Sequence, residues 1–235
     1  MPSEKITIIY DNRASREDLQ PGWGFSALVE HDGARLLFDT GADKIVLEAN
    51  AAALGVDLKS TDYLFFSHEH CDHVGAVSSA LHKDLTVVYP SSLSQTFNKK
   101  VVTAQAKSIL VTEPIEFSPG FLSTGELGTT IKEQALIITG NDGPILVTGC
   151  AHPGIAEIAR LATQIAKRPL SLVIGGFHLY KSKDAGIKKI ADALRQLGVQ
   201  QIAPCHCTGE HAIKILREAF GPDGLEVMVG TQIPL

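Results

Sequence analysis

The sequence predicts an α/β fold in which two β-sheets carry helices on their outer faces. Two observations lead to this prediction. In the first part of the chain, short apolar runs follow one another through tight turns such as Asp32-Gly33. In the later part, similar runs alternate with amphipathic helical segments. Because the two patterns differ, two sheets are expected rather than one parallel sheet.

Short runs rich in Ile, Val, Leu and Phe are predicted as strands. In chain order they are Ile6–Tyr10, Phe25–Glu30, Leu36–Phe38, Tyr63–Phe66, Leu85–Tyr89, Ala135–Thr139, Ile145–Thr148, Leu172–Ile174 and Gln201–Ala203. The segment from Ser91 to Leu122 has the weakest periodicity, and no element is predicted there.

Four segments with apolar residues at helical spacing, each bounded by a glycine or a proline, are predicted as helices. They are Asp43–Leu54, Ile155–Lys167, Asp184–Leu197 and Gly209–Phe220. Thr208 is the expected N-cap of the last helix. No repeat, low-complexity segment or long linker marks a boundary, so residues 1–235 are predicted to form a single domain.

The composition is that of a packed globular protein, with 44% hydrophobic and 20% charged residues among 235. A net charge of −5 gives no attraction to nucleic acid or an anionic membrane surface, so neither is expected as a partner. The first residues lack the apolar core of a secretory signal, and no apolar run approaches the roughly 18 residues of a membrane span. We therefore expect a cytoplasmic protein with a small-molecule substrate, and the oligomeric state stays open.

The segment with the clearest chemistry is SHEHCDH at residues 67–73, directly after a predicted strand. His68 and His70 are two residues apart, so in an extended segment they point the same way and can share one cation. Asp72 and His73 follow where the chain turns toward a helix, and they can hold a second cation. Imidazole and carboxylate together suit zinc, iron or manganese. The alternative, a solvated histidine-rich loop, explains this density of ligand-type residues less well.

Three later strands each end in a histidine beside small residues: His152 in GCAHPG, His178 in GGFHL and His206 in PCHCTG. Strand ends of this kind converge on one rim. His152 and His206 are therefore predicted as metal ligands, against the alternative of core histidines. His178 is left open between a metal ligand, a substrate contact and a structural residue.

The cysteines and the remaining histidines give a weaker signal. Each of the four cysteines lies within two residues of a histidine, which indicates a metal neighbourhood rather than disulfides in a reducing compartment: Cys71, Cys150, Cys205 and Cys207. His31, His82 and His211 lie at turn or helix positions without predicted partners and are interpreted as surface residues.

Taken together, these motifs resemble the metallo-β-lactamase fold superfamily. The HxHxDH motif follows an apolar strand, with LFDTG upstream at residues 37–41. The set GFS, FDTG, SHEHCDHVGA, GCAHPGI, GGFHL and PCHCTG, which lies between about Tyr10 and Gly209, resembles one subgroup more closely. That subgroup consists of metal-dependent hydrolases, also described as 7,8-dihydropterin-6-methyl-4-(β-ribofuranosyl)aminobenzene-5′-phosphate synthase-like proteins.

The resemblance implies a four-layer αββα sandwich with the site on one edge. It implies two groups of metal ligands: His68, His70 and His152 in one, and Asp72, His73 and His206 in the other. Asp39 is implied to orient ligand imidazoles through hydrogen bonds, and a plain turn carboxylate is the alternative.

Cys150 departs from the pattern of the superfamily. Most members have a bridging aspartate at the end of the strand that here ends in Gly149-Cys150. Either the Cys150 thiolate bridges the two metals, or the bridge is water alone. The assignment of His152, two residues further on, depends on the answer.

The function expected is metal-dependent hydrolysis, in which two ions activate a shared water that Asp72 positions. Zinc is the expected metal, with manganese and iron as alternatives, and the substrate is a small molecule of a phosphorylated or pterin-like kind. A second hypothesis is a synthase or transferase that joins a pterin to an aryl ribosyl phosphate. A third is an iron-dependent oxidoreductase, although no appended flavin-binding domain is evident. A non-enzymatic metal-binding protein fits least well.

Overall fold

The structure is a computed structural model that describes residues 4–235. Met1–Ser3, part of the N-terminal segment interpreted above, lie outside the described residues. The chain divides into two compact units: the first runs to Thr112 and includes Met228–Leu235, and the second is Glu113–Val227. The single domain predicted for residues 1–235 stays a prediction.

The first unit contains a seven-stranded sheet. Its strands are β1 (Lys5–Tyr10), β2 (Ser26–His31), β3 (Ala34–Phe38), β4 (Tyr63–Phe65), β5 (Thr86–Pro90), β6 (Lys107–Val111) and β13 (Gln232–Pro234). The strand order is β13-β1-β2-β3-β4-β5-β6, antiparallel as far as β3 and parallel from β3 to β6. The β2–β3 turn is tight because Asp32 and Gly33 both have positive φ, at 49° and 76°.

Helices of the first unit pack on one face of this sheet. They are α1 (Lys44–Ala53), α2 (Cys71–Val74), α3 (Val77–Ala80) and α4 (Gln95–Thr103). Apolar residues one helical turn apart, such as Leu47 and Ala51 of α1, are buried against Leu37 and Leu64 of the sheet. The Asp43 side chain caps α1 by accepting the first backbone N–H groups of the helix.

The second unit contains a six-stranded sheet. Its strands are β7 (Ile115–Ser118), β8 (Phe121–Ser123), β9 (Leu136–Thr139), β10 (Pro144–Thr148), β11 (Leu172–Gly176) and β12 (Gln201–Cys205). They lie in the order β12-β11-β10-β9-β8-β7. Pairing is antiparallel from β7 to β10 and parallel from β10 to β12.

Three helices alternate with the parallel strands: α5 (Ile155–Ala166), α6 (Asp184–Gln196) and α7 (Glu210–Phe220). Their apolar faces, including Ile158, Leu194 and Leu216, are buried against strand residues such as Val173 and Ile202. Because β10, β11 and β12 are parallel, the loops that follow them start at the same edge of the sheet. This arrangement places the histidine-bearing loops of the second unit side by side.

The predicted α/β class, with two sheets and helices, is confirmed. Every predicted strand and helix is present among the described residues, with ends within two residues of the predicted ones. The segment without a prediction contains α4, β6, β7 and the start of β8. Its edge strands show no clear alternation because they expose apolar residues, with Leu110 57% and Ile115 43% exposed.

The N-cap prediction for α7 is wrong. Gly209 is the cap residue, and no side chain caps the helix. The Thr208 hydroxyl instead accepts the Phe177 N–H at 2.9 Å, which ties the β12 loop to the β11 loop. Among residues 4–235, no helix combines the length and apolar character needed to cross a bilayer.

Candidate functional site

A fully buried carboxylate, Asp39, organises the candidate ligands of the first unit. It directly follows β3. One oxygen accepts the Ser67 backbone N–H at 2.8 Å, and the other accepts the Ser67 hydroxyl at 2.7 Å. That second oxygen also lies 2.7 Å from Nδ1 of His73. Asp39 thus contacts the residue directly before the HxHxDH segment and the last residue of that segment.

This network determines which ring nitrogens carry protons. A carboxylate only accepts, so His73 donates from Nδ1 and keeps a lone pair on Nε2. The single proton of the Ser67 hydroxyl goes to Asp39, so Nδ1 of His68, 2.9 Å from that hydroxyl, is also a donor. Nε2 of His68 is then likewise a lone-pair donor for a metal. The two rings lie 4.2 Å apart between centroids.

His70 and Asp72 complete the predicted ligands of the first unit. The exposed His70 ring lies 4.6 Å from the His68 ring, and an Asp72 carboxylate oxygen lies 3.8 Å from Nε2 of His73. The backbone of α2 is fixed by its neighbours, since the Asp72 carbonyl accepts the Phe25 N–H at 3.3 Å. Gly24 is required at this approach because a Cβ atom there would lie 2.6 Å from that carbonyl.

Glu133 plays the corresponding part in the second unit. It is fully buried, and its carboxylate accepts four hydrogen bonds from the loop after β10. One oxygen accepts the N–H groups of Cys150 and Ala151 at 2.9 and 2.8 Å. The other accepts the His152 N–H at 2.9 Å and lies 2.8 Å from Nδ1 of His152. His152 therefore donates from Nδ1 and keeps a lone pair on Nε2.

The loops after β11 and β12 bring His178 and Cys207 together. A hydrogen bond with Cys207 raises the pKa of His178. Burial alone raises the pKa of the Cys207 thiol, but hydrogen bonds with Cys150 and His178 and the charge of His206 outweigh it and bring that pKa well below its usual range. The His178 ring also lies 4.6 Å from the ring of His152. His178 is thus part of this cluster rather than an isolated surface residue.

The loops that carry these residues have an uncommon backbone conformation. Positive φ occurs at Asp39 (50°), Ala151 (57°), His178 (52°) and His206 (48°), each within three residues of a strand end. Residues other than glycine adopt this region at a cost, and such positions cluster at functional sites. His206 is 98% buried in its loop, since only 2% of its surface is exposed.

Two residues of the site carry roles that sequence reasoning missed. The Ser67 hydroxyl donates to Asp39 and accepts from Nδ1 of His68, so it connects the two residues. Glu133 holds the loop that carries His152. In the sequence, Glu133 lies two residues before the apolar run that starts at Ala135, which was the one available signal. No local pattern indicates that it contacts the GCAHPG segment. The interpretation of His31 as a surface residue is wrong: it is 6% exposed and lies 3.0 Å from Glu4.

The donor chemistry of these residues fits divalent metal ions. Imidazoles with Nδ1 held by an acceptor and Nε2 available are typical ligands, and the carboxylate–histidine pairs match the usual support of a metal site. Nitrogen and carboxylate oxygen donors suit zinc, manganese or iron, whereas the thiols of the second unit favour softer ions such as zinc. All four cysteines lie among residues 4–235 and are free thiols there.

The family follows from a sequence match. Residues 20–162 match the family model of the metallo-β-lactamase superfamily, which is more than half of the chain. The chain therefore belongs to the metallo-β-lactamase superfamily, whose fold is an enzyme fold. The resemblance expected from the motifs is confirmed.

The chain is similar to individual proteins in sequence and in structure. The chain is 27% identical to the 7,8-dihydropterin-6-methyl-4-(β-D-ribofuranosyl)-aminobenzene-5′-phosphate synthase of Methanocaldococcus jannaschii, over 87% of this chain and 86% of that protein. It superposes on the crystal structure of Tm1679, a metal-dependent hydrolase of the β-lactamase superfamily, with a TM-score of 0.82, 26% identity and 99% of both chains. YhfI from Bacillus subtilis, at 17% identity and a TM-score of 0.71 over 98% of this chain and 99% of that one, shares the fold.

The Glu133 network generates a stability prediction. In Glu133→Gln, an amide NH₂ replaces one acceptor and faces N–H donors in a fully buried position. We expect the free energy of unfolding to fall by roughly 2–4 kcal/mol, because buried donors lose a charged partner. Urea unfolding followed by circular dichroism measures this change. The matched control is Glu157→Gln on the surface of α5, where Glu157 pairs only with Arg160 and a change within about 0.5 kcal/mol is expected. Equal effects of the two substitutions would show that Glu133 does not hold the loop.

Proposed function

We propose that the protein is a metal-dependent hydrolase. The observation that best supports this proposal is the pair of fully buried carboxylates, Asp39 and Glu133, each within 2.8 Å of Nδ1 of a predicted ligand histidine. Carboxylates orient ligand imidazoles in this way at metal sites. A histidine that only fills space in a core does not require a buried anion, which is costly to desolvate.

The proposed ligands are those that the family resemblance implies. They form two groups: His68, His70 and His152, and Asp72, His73 and His206. Two zinc ions are the proposed cofactors, with manganese or iron as alternatives, since the donors are imidazole nitrogens and a carboxylate. Asp39, Ser67 and Glu133 then act through the ligands, by fixing their tautomers and ring orientations.

The residues of the chain prepare the site for hydrolysis. A bound divalent ion supplies Lewis acidity, which lowers the pKa of a water molecule and polarises a carbonyl or phosphoryl oxygen. The Asp72 side chain, 13% exposed, accepts a hydrogen bond from the attacking water and orients it. The hydrogen bonds of Asp39 and Glu133 keep His73 and His152 in one orientation, so little reorganisation is needed during the reaction.

The proposed substrate is a small molecule of the phosphorylated or pterin-like kind. The only tryptophan, Trp23, is 55% exposed and directly precedes Gly24, whose backbone lies against that of Asp72. An exposed indole next to a metal-binding segment offers a stacking surface for a planar ring. The net charge of −5 disfavours nucleic acid as a substrate, and we propose a cytoplasmic location.

A synthase is the second candidate function. It is favoured by the similarity to the Methanocaldococcus jannaschii synthase, which extends over 87% of this chain. In that reaction class the same ligands would hold the ions, but a second organic substrate rather than water would be the nucleophile, and the group bound to the attacked methylene carbon of the pterin would leave. An iron-dependent oxidoreductase remains the third alternative.

Metal content tests the ligand proposal. We expect protein purified without added metal to contain about two zinc or manganese ions per chain, and the His68→Ala/His70→Ala variant to lose most of this metal. Elemental analysis by mass spectrometry measures both. His211→Ala is the matched control, because that histidine is exposed and pairs with Asp184. Metal-free wild-type protein would contradict the proposal, and iron would direct the work to redox assays.

Activity tests the role of Asp72. On the phosphate ester, lactone or thioester that the wild-type protein hydrolyses fastest, Asp72→Ala is expected to lower kcat/KM by about 10²- to 10⁴-fold, because both a ligand and the group that orients water are lost. Asp84→Ala, in an exposed turn, serves as the control. An Asp72→Ala variant with wild-type metal content and rate would contradict this mechanism.

Product analysis separates hydrolase from synthase. The protein is incubated in heavy-oxygen water with a reduced pterin and an aryl ribosyl phosphate, together and separately. Hydrolysis predicts one heavy oxygen in a product of a single substrate, because water is the nucleophile. A condensed product that forms only with both substrates, and without heavy oxygen, would replace the hydrolase proposal with the synthase.

A further inference from the structure

Two thiols and an imidazole meet in the second unit, at the edge where β10, β11 and β12 end. The ligand atoms of Cys150, Cys207 and His178 all lie within 4.8 Å of one another. Both cysteines are buried, with 3% and 2% of their surface exposed, whereas His178 is exposed. The cluster is therefore closed on its sulfur side and open to solvent on its imidazole side.

The surrounding backbone is shaped to hold the sulfur atoms. A Cβ atom on Gly176 would lie 2.6 Å from Sγ of Cys207 and 2.3 Å from the Gly149 carbonyl oxygen, so only glycine leaves room for the thiol. Glu133 fixes the backbone of Cys150, and the Thr208 hydroxyl fixes the loop that carries Cys207. The positions of both thiols are thus set by the fold before any ligand binds.

We propose that Cys150, Cys207 and His178 form a further metal site, which binds a thiophilic divalent cation of the zinc class. The inference rests on the proposed function in one respect: the ligand atom of Cys150 also lies within 4.8 Å of those of His152 and His206, so Cys207 and His178 are the ligands that distinguish this site. Two thiolates and a neutral imidazole balance the charge of a divalent ion, and the cluster as a whole releases its thiol and imidazole protons to solvent as the ion binds. Three protein ligands leave a fourth tetrahedral position, which the exposed side of the cluster makes accessible.

The spacing is compatible with such an ion after a small contraction. Zinc–sulfur bonds of about 2.3 Å at tetrahedral angles place two sulfurs roughly 3.8 Å apart. Zinc–nitrogen bonds of about 2.0 Å place sulfur and nitrogen roughly 3.5 Å apart. The ligand atoms of the cluster, within 4.8 Å of one another, therefore need to approach by about 1.3 Å at most. His178 is the one ligand of the three with an exposed side chain, so its ring has room to take up the sulfur–nitrogen part of this movement.

Cobalt substitution tests the site directly. Metal-free, reduced full-length protein is titrated with Co²⁺, and the near-ultraviolet charge-transfer band that reports cobalt–thiolate bonds is recorded. We expect the band in the wild type, and a decrease of about half or more in Cys150→Ser and in Cys207→Ser, since one of two thiolates is lost. Cys71→Ser and Cys205→Ser are matched controls that keep the band. His178→Ala leaves the buried sulfurs in place and is expected to weaken Zn²⁺ binding at least about tenfold in competition with Co²⁺.

The outcomes discriminate between this site and the proposed catalytic site. In His68→Ala/His70→Ala the thiolate band is expected to stay, even though this variant loses most of the metal bound at the proposed catalytic site. Loss of the band in that variant would overturn the separate site and assign the sulfurs to the histidine ligands. Absence of the band in the wild type, or its full retention in Cys207→Ser, would also overturn it. If the wild-type protein shows the thiolate band but binds no metal at the predicted histidine ligands, the proposed function is refuted and the thiolate site is not.

Discussion

The structure depends on hydrogen bonds between buried carboxylates and imidazole rings. A buried carboxylate is tolerated only when its oxygens accept enough hydrogen bonds. Asp39 meets this need with the backbone and hydroxyl of Ser67 and with Nδ1 of His73. Glu133 meets it with three backbone N–H groups and Nδ1 of His152. Folding and tautomer choice are thereby coupled, because the arrangement that satisfies each anion also leaves Nε2 of the histidine available to a metal.

The same hydrogen bonds offset the strain of the loops. Asp39 has a φ of 50°, and its carbonyl accepts the Ser26 hydroxyl at 2.8 Å while its side chain anchors the segment after β4 through Ser67 and His73. Ala151 has a φ of 57°, and its N–H is held by Glu133 at 2.8 Å. An unusual backbone conformation persists only where the surroundings over-determine it. Each loop is therefore rigid enough to present a side chain in one direction, which a metal site requires.

The sequence predicted what is local and missed what is distant in the chain. The HxHxDH residues are close together in the chain, and parallel strands bring the later histidines to one edge of their sheet, so their grouping within each unit was predictable from pattern alone. Their role as metal ligands stays a prediction. Glu133 was not, because it lies 17 residues before Cys150 and contacts that loop only in the folded chain. His31 was misread for the same reason, since its partner Glu4 is 27 residues away. The edge strands β6 and β7 were not predicted because they expose apolar residues such as Leu110 and Ile115, which removes the alternation of apolar and polar residues that predicts a strand.

The presence of cysteine rather than aspartate at position 150 has an electrostatic reason. Glu133 already places one buried carboxylate against the backbone of this loop, and the Cys207 thiol, with its lowered pKa, lies nearby. A carboxylate at position 150 would add another anion to a buried region, where like charges strongly disfavour ionisation. A thiol ordinarily ionises at a much higher pH than a carboxyl group, so it adds less negative charge to this region. As a ligand, sulfur also shifts the preference of this edge toward softer cations.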